Sequence, residues 1–429
     1  MLKKIGLCFL FFALAACSQI FPSQKQTQTP SWYLPQNAFD ISDFQTPIES
    51  FSADSFKVAM LLPLTGKAST FGKGLQNAAM MALEDTNNPS LEVRFFDTKS
   101  SPQGALAAFE TAVGNKAQLI LGPLMSEEVS AISHQARSKS VPVISFSTSP
   151  NVLGNGIYTL GLLSDEQIDR IISYAVQKGR SRIALIAPDS AAGLNIAKSA
   201  MNAAANFGAT ITKIGFYEPS TLEFSELVQQ INRNKDFDTV LIAETGSRLK
   251  AIAGTFGYYD VAYPKVLFIG TSVWNNTNLN KETTLYKGVY PMISRVHEGY
   301  FNKKYKDLFG ETPNTLYSYA YDSIALASAL SKESQRDLYQ AITNPDGYIG
   351  INGSFRLFDD GTNEHNLDIV EVNDTGLQTV DSAAKTFASR TYKSNFGLNM
   401  RPEIYGKSPE EVYSKMYTPQ PTSSYFNIF

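Results

Sequence analysis

The chain has 429 residues, a formal net charge of −3 at pH 7 and a hydrophobic content of 43%. This length allows two compact lobes, each with its own buried core. Lys and Arg form no clustered stripe along the sequence, and together with the slightly acidic balance this argues against a dedicated nucleic-acid-binding protein.

The N-terminus has the features of a bacterial secretory signal. Lys3 and Lys4 precede the apolar stretch 5–13, which is followed by Leu-Ala-Ala and Cys17. The apolar run is too short to span a bilayer stably, so a transmembrane anchor is the weaker alternative, as is an unmodified secreted protein. Leu-Ala-Ala-Cys resembles the lipobox of bacterial lipoproteins. The resemblance implies removal of residues 1–16, which contain Cys8, and lipidation of Cys17.

The residues that follow predict a location and a tether. Ser18 comes after the cysteine, where lipoproteins retained in the inner membrane usually carry Asp, so the resemblance implies the outer membrane, facing the periplasm. Residues 17–54 include the polar stretch SQKQTQTP and have no sustained apolar period. They predict a polar tether between the lipid and the folded part of the chain.

From Phe56 onward, apolar strands alternate with amphipathic helices. FKVAMLLPL is a near-continuous apolar run, which is typical of a parallel strand buried on both faces. LEVRFFDT, AQLILGP and VPVISFST predict further strands, with helices between them. A second series of the same kind begins near Ser164, with strands at SRIALIAPD, ATITKIGFYEP, DTVLIAE and KVLFIGT. The alternation predicts α/β lobes with parallel sheets covered on both faces.

The later part of the chain predicts that the chain returns to the first lobe and then ends in a tail. After GVYPMIS come two helices, and GSFRLFDDGTNEHNLDIVEV predicts a hairpin that turns at Asp360-Gly361. Residues 382–429 form a polar tail punctuated by aromatic side chains, in which SPEEVYSKMY predicts a short helix with Ser408 as its cap and Pro409 first. The tail either packs back on the lobes, which we favour, or carries a partner-binding stripe.

These segments resemble the type I periplasmic binding proteins of the leucine-binding kind, over roughly residues 56–377. The lipobox and the long tail resemble most closely the penicillin-binding protein activator branch. The resemblance implies two doubly wound lobes joined by three crossovers, near positions 163, 295 and 344, with a cleft between them. Lobe 1 would then comprise residues 55–162 and 295–343, and lobe 2 residues 163–294 and 344–381.

The resemblance also implies candidate ligand contacts on lobe 1. Amino-acid binders of this family hold the ligand's carboxylate at the turn after the third strand and at the end of the fourth. The matching positions here are Ser126 and the run Ser147, Thr148 and Ser149. Hydroxyl and backbone N–H donors at a helix start suit an anion. The alternative for Ser126 is a plain N-cap.

The matching half on lobe 2 departs from the family pattern. Ala192 stands where relatives place a tyrosine, just before Gly193. Relatives also hold the ligand's ammonium with an acid after a later strand, whereas FIGTSVWNN offers Thr271, Ser272 and Trp274. Trp274 is expected either to form an apolar or sugar-stacking wall or simply to pack. These departures argue against free leucine as the ligand.

No catalytic or metal-binding pattern is recognisable. The 3 histidines, His134, His297 and His365, have no metal-ligand spacing, and no nucleophile elbow occurs. We therefore expect no enzyme activity and no cofactor. Two functions remain open: a scaffold that activates a penicillin-binding protein, or a receptor that delivers amino acids or amides to an ABC permease.

Overall fold

The computed structural model describes residues 55–294, 297–334, 336–387 and 400–417. The predicted signal, Cys17 and the predicted tether lie outside the described residues. The first five strands of the described residues form one parallel sheet in the order β2-β1-β3-β4-β5. These strands are β1 (Phe56–Leu62), β2 (Leu91–Asp97), β3 (Leu119–Leu121), β4 (Val143–Ser145) and β5 (Ile157–Thr159). The first four were predicted from their apolar runs.

Helices cover both faces of this first sheet. The intervening helices are α1 (Ser69–Thr86), α2 (Pro102–Gly114) and α3 (Ser126–Ser138). Leu75 of α1 packs in one cluster with Val58 and Met60 of β1, whereas Phe109 of α2 packs with Ala59 on the opposite face. The near-continuous apolar run of β1 is therefore explained by burial on two sides.

The second alternating series forms a second parallel sheet. Its elements are α4 (Ser164–Gln177), β6 (Arg182–Pro188), α5 (Ala191–Phe207), β7 (Thr210–Tyr217), α6 (Ser225–Asn232), β8 (Thr239–Ile242), α7 (Gly246–Tyr258), β9 (Leu267–Gly270) and β10 (Val289–Ile293). The strands pair in parallel in the order β7-β6-β8-β9-β10. Helix α7 was not predicted, because Gly254 and Gly257 lower its helix propensity. Burial of Leu249 and Phe256 in the core outweighs that cost.

The chain then returns to lobe 1 and stays there longer than predicted. Its next elements are α8 (Glu298–Phe309), α9 (Tyr317–Leu330), α10 (Leu338–Ile342), β11 (Tyr348–Gly350), β12 (Gly353–Leu357) and β13 (Asn363–His365). Phe355 and Leu357 of β12 pack in the same cluster as β1 and α9. The chain enters the second sheet only at Leu367. The predicted crossing near Asn344 is therefore wrong, because Phe355 and Leu357, which come after it, are buried in the lobe 1 core.

The predicted hairpin is split between two sheets. β12 and β13 pair antiparallel, and Gly361 at their turn has a φ of 81°, as the Asp360-Gly361 signal predicts. β14 (Leu367–Asn373) and β15 (Gly376–Asp381) instead extend the second sheet beyond β10 as an antiparallel edge. Lobe 2 is thus mainly parallel, with one antiparallel margin.

Residues 400–417 of the predicted tail pack on lobe 2. β16 (Glu403–Tyr405) pairs in parallel with β7 and becomes the other edge of the second sheet. α11 (Pro409–Tyr417) follows, and Val412 and Met416 lie in the cluster formed by α5 and β6. The amide of Glu411 lies 3.5 Å from the Ser408 hydroxyl, which caps the helix as predicted. The aromatic residues at positions 392, 396, 425, 426 and 429 lie outside the described residues.

Candidate functional site

The turns after β3 and β4 lie side by side at the carboxyl-terminal edge of the lobe 1 sheet. The amide of Gly122 donates to the carbonyl of Ile144 at 2.8 Å, and the amide of Phe146 donates to the carbonyl of Pro123 at 3.0 Å. These bonds place the start of α3 next to the predicted hydroxyl run. Ligands of open α/β sheets bind at such an edge.

Ser126 is the first residue of α3 and is exposed. The cap position belongs to Met125, whose amide lies 3.4 Å from Oε2 of Glu128, so the alternative of Ser126 as N-cap is wrong. The Ser126 hydroxyl lies 3.4 Å from the carboxylate of the exposed Glu127. Its role as a ligand contact stays a prediction.

The hydroxyl run after β4 is divided between structural and exposed groups. Ser147 is buried, and its Oγ accepts a hydrogen bond from the amide of Ser149 at 3.1 Å. Its carbonyl accepts a bond from the hydroxyl of Thr159. Thr148 is exposed and Ser149 is half-buried. Thr148 therefore presents its hydroxyl most openly, while Ser147 orders the turn.

Glu128 of α3 is a fully buried carboxylate, although glutamate side chains are usually exposed. The hydroxyl of Thr98, at the end of β2, donates to its Oε1 at 2.7 Å. Burial raises the pKa of Glu128, and the hydrogen bond from Thr98 partly opposes that rise. The side chain thus joins β2 to α3 and does not face solvent at the helix start.

Trp274 is a core residue of lobe 2. Its side chain is fully buried, and its Nε1 donates to the carbonyl of Ile242 at 2.8 Å. The indole lies against Gly270, where a Cβ would come within 2.2 Å of it. The prediction of Trp274 as a ligand wall is therefore wrong, and the packing alternative is confirmed.

The backbones of Thr271 and Ser272, the other two candidate contacts on lobe 2, form internal hydrogen bonds. Thr271 is buried, and its carbonyl accepts the amide of Trp274 at 3.0 Å. The amide of Ser272 donates to the side chain of Gln167 at 2.8 Å. These contacts hold the 3₁₀ turn at Ser272–Asn276 against α4.

Glu244, an acid that follows β8, is not among the predicted site residues. Glu244 is buried, accepts the amide of Thr245 at 2.7 Å and pairs with Arg248 at 3.0 Å. Hydrogen bonding to Glu244 raises the pKa of Arg248, and burial raises that of the neighbouring Tyr217. The sequence pattern could have indicated Glu244, because this acid comes soon after a buried apolar strand. Its charge is neutralised within lobe 2.

A cavity lies between the two lobes where the second crossover passes. It encloses about 480 Å³, including space open to solvent, and is lined by Asn275 and Met292 of lobe 2 and by Phe301 and Ser318 of lobe 1. Asn352 also lines it, and accepts a hydrogen bond from Ser318 at 2.8 Å. None of the predicted contacts lines this cavity.

The described residues contain neither a metal centre nor a membrane-spanning helix. In the part of the chain that the structure describes, no group of three or more His, Cys, Asp and Glu side chains could hold a metal ion. His134 is exposed, and His365 is buried with its Nδ1 3.2 Å from Glu166. Within the same residues, no helix has both the length and the apolar character needed to cross a bilayer.

The fold, with its two parallel α/β sheets and their helices, is shared with a class of binding protein. A family model described as periplasmic binding protein matches residues 55–377. The chain therefore belongs to the periplasmic binding protein family. A solved structure of a putative branched-chain amino acid ABC transporter protein from Rhodospirillum rubrum is similar, with a TM-score of 0.67, 16% identity and coverage of 76% of this chain and 100% of that one. The fold is that of the type I periplasmic binding proteins.

Two curated relatives are also similar in sequence. An uncharacterised protein of Rickettsia prowazekii is 23% identical over 325 residues, which cover 73% of this chain and 85% of that protein. The penicillin-binding protein activator LpoA of Glaesserella parasuis is 26% identical over 160 residues, covering 36% of this chain. The match spans only 27% of the activator's length.

Proposed function

We propose that this protein is a periplasm-facing lipoprotein that activates a peptidoglycan synthase of the penicillin-binding protein class without catalysing a reaction itself. The observation that carries the proposal is the similarity to the penicillin-binding protein activators, at 26% identity over 160 residues. A second activator, from Photobacterium profundum, is 25% identical over 165 residues. Both matches cover about a quarter of the activators, so the partner is inferred by analogy.

The internal contacts at the carboxyl-terminal edge of the lobe 2 sheet support this proposal. Trp274 is buried, Glu244 is paired with Arg248, and the amide of Ser272 bonds to Gln167. Neither Ala192 nor Thr271 supplies the tyrosine or the acid that amino-acid binders use. Closing the lobes on a free amino acid would thus bring no matched partner for its ammonium group. A fixed pair of lobes suits a protein that acts by binding another protein.

Activation of this kind needs no chemistry in the activator. A protein that binds the active conformation of a synthase more tightly than the inactive one shifts the equilibrium between them. A tenfold shift requires about 1.4 kcal/mol of differential binding. A lipid on Cys17 and a polar tether over residues 17–54 would hold the lobes at the outer membrane while letting them reach a synthase anchored opposite.

The anchor is tested first. Replacing Cys17 with alanine removes the only thiol predicted to receive lipid, so the Cys17→Ala protein should lose palmitate labelling and leave the outer-membrane fraction. Cys8→Ser is the matched control and should label normally. Palmitate incorporation into the Cys17→Ala protein contradicts the lipoprotein proposal.

The partner is tested by crosslinking and by activity. Periplasmic crosslinking with mass spectrometry should recover a penicillin-binding protein, and adding the purified chain to that synthase should raise its rate of glycan or peptide-bond formation. Recovery of an ABC permease with no effect on the synthase would replace the activator role with that of a receptor.

The receptor role is the second candidate. The observation that favours it is the match to the whole of the Rhodospirillum structure, which is described as a branched-chain amino acid transporter protein. Ser126 and Thr148 also remain exposed at one edge of lobe 1, where relatives hold a carboxylate. In this function Ser126, Ser147, Thr148, Ser149 and Thr271 would contact a small amino-acid-like ligand.

A further inference from the structure

The segment after the family-matched region begins on lobe 2. The match ends at residue 377, within β15. Asp381 at the end of β15 pairs with Arg170 of α4 at 2.9 Å. The amide of Ala383 then donates to the carboxylate of Asp368 on β14 at 2.6 Å. The chain is therefore held by lobe 2 as far as residue 383.

Four residues later the same segment touches lobe 1. The ring of Phe387 lies 4.7 Å from the guanidinium carbon of Arg356, which is a residue of β12. Phe358 contacts the same guanidinium at 5.1 Å. At Gly347 a Cβ would lie 2.7 Å from the Phe387 ring, so the chain there leaves room for that ring.

Arg356 is held in place by contacts other than the one with Phe387. Its Nε and Nη2 donate to Oε2 of Glu364 at 2.9 and 2.6 Å, and its Nη1 lies 3.3 Å from the carbonyl of Pro345. The residue is buried. A planar guanidinium held in this way presents a face to an aromatic ring, an interaction that an aliphatic side chain does not make.

We propose that Arg356, Phe358 and Gly347 form a docking site on lobe 1 for the C-terminal extension of this same chain, and that Phe387 bound there straps lobe 2 to lobe 1. Residues 400–417 lie again on lobe 2, through β16 and α11. The strap is thus a fourth tie between the lobes, in addition to the three crossovers. It does not depend on the identity of any partner protein.

The strap restricts rotation at a hinge that is already cross-linked by hydrogen bonds. Glu166 accepts the amide of Leu163 at 2.8 Å on the first crossover and the amide of His365 at 2.7 Å beside the third. The four residue-to-residue steps from Ala383 to Phe387 can span at most about 14 Å when fully extended. With both ends held, the lobes cannot swing freely apart on this side without breaking the contact between Phe387 and Arg356.

Hydrogen exchange of the full-length protein tests the strap. Phe387→Leu keeps an apolar side chain but removes the ring, so amide exchange should rise about three- to tenfold at β12 and at the first and third crossovers, residues 160–170 and 363–369. Phe207→Leu is the matched control, because Phe207 is a partly exposed ring at the end of α5, and should change neither region.

Arg356→Lys provides an independent variant, since it keeps the charge and removes the planar face. It should raise exchange at the same crossovers, and the double variant should add little to either single change, as expected of partners in one contact. The strap is overturned if Phe387→Leu alters exchange only within residues 380–387, or if the two single effects on the crossovers add in full.

Discussion

The two lobes treat the carboxyl-terminal edges of their sheets differently. On lobe 1, Ser126 and Thr148 are exposed in the segments that follow two neighbouring strands, β3 and β4. On lobe 2, Trp274 is buried against Gly270 and Glu244 is paired with Arg248. Ser126 and Thr148 on lobe 1 are open to solvent, whereas Trp274 and Glu244 on lobe 2 have internal partners. In this sense the lobe 1 edge is open and the lobe 2 edge is closed.

The lobes also differ in the strands that flank their parallel sheets. The lobe 1 sheet holds its five parallel strands, whereas the lobe 2 sheet is extended by an antiparallel hairpin at one edge and by β16 at the other. β16 covers the edge of β7, which would otherwise present unpaired backbone groups. The hairpin lies largely within the family-matched residues 55–377, whereas β16 lies beyond them.

The largest expected effect comes from Trp274. Trp274→Ala should lower the free energy of unfolding by about 3–5 kcal/mol, because it leaves a cavity in lobe 2 and an unpaired carbonyl at Ile242. Urea denaturation followed by circular dichroism measures the loss.

The matched variant for that prediction is Trp274→Phe, which retains an aromatic ring and loses the N–H donor. It should cost less than half as much as the alanine variant. If Trp274→Ala left stability unchanged and instead weakened binding of a small molecule, the contrast between an open and a closed edge would be wrong.

The next effect belongs to lobe 1 and depends on pH. Asp322 of α9 is buried and accepts the amides of Ile351 at 2.6 Å and Asn352 at 3.2 Å. Burial raises its pKa from 3.8 to about 6, although these hydrogen bonds oppose the rise. Between about pH 6 and pH 4 the folded chain holds a proton here that the unfolded chain has released. Stability should therefore rise as the pH falls through this window, by roughly 2–3 kcal/mol from this group.

Asp322→Asn isolates that contribution. Because the amide does not titrate, the difference in unfolding free energy between wild type and variant should change across pH 6 to 4 and be level above pH 7. Urea midpoints measured at half-unit intervals give this difference. A difference that is level throughout would mean that Asp322 is ionised in both states over the whole window.

A smaller effect is expected where the tail joins lobe 2. Gly406 follows β16 with a φ of 75°, and a Cβ there would lie 1.9 Å from the carbonyl of Phe216. Gly406→Ala should cost about 1–3 kcal/mol and detach β16, which limited proteolysis would detect as earlier cleavage of the tail. Gly208→Ala is the control, since Gly208 has a φ of 79° but nothing within 4 Å of its added Cβ. Equal proteolysis of both variants would contradict a specific fit of the tail.

Much of the fold follows from local pattern, because buried parallel strands need apolar residues at successive positions. β1, β6 and β8 lie inside the apolar runs that predict them. The third crossover was misplaced because β12 and β14 have similar strand patterns, and pattern alone does not say which sheet each strand joins. The pairing of Phe355 with His365 and of Ile293 with Leu367 decides it.

The site was less predictable, because burial of a single side chain depends on distant partners. Glu128 reads as a surface acid until Thr98, 30 residues away, is placed beside it. Trp274 reads as a candidate wall until Gly270 is seen to leave space for its ring. The resemblance identifies which turns lie at the two edges, but it carries no information on which polar groups have found partners inside the protein.

The smallest expected effect concerns the exposed hydroxyls of lobe 1, and it bears most directly on function. Thr148→Ala should change the free energy of unfolding by less than about 0.5 kcal/mol, whereas Ser147→Ala should cost about 1 kcal/mol, because only Ser147 accepts an internal hydrogen bond. A ligand present at 100 times its dissociation constant would stabilise the native chain by about 2.7 kcal/mol. Since lobe 2 offers leucine no free carboxylate at Thr271, millimolar branched-chain amino acids should leave the melting temperature unchanged. A saturable rise in melting temperature that disappears in the Ser147→Ala, Thr148→Ala double variant would show that the lobe 1 edge still binds amino acids, and would favour the receptor over the activator.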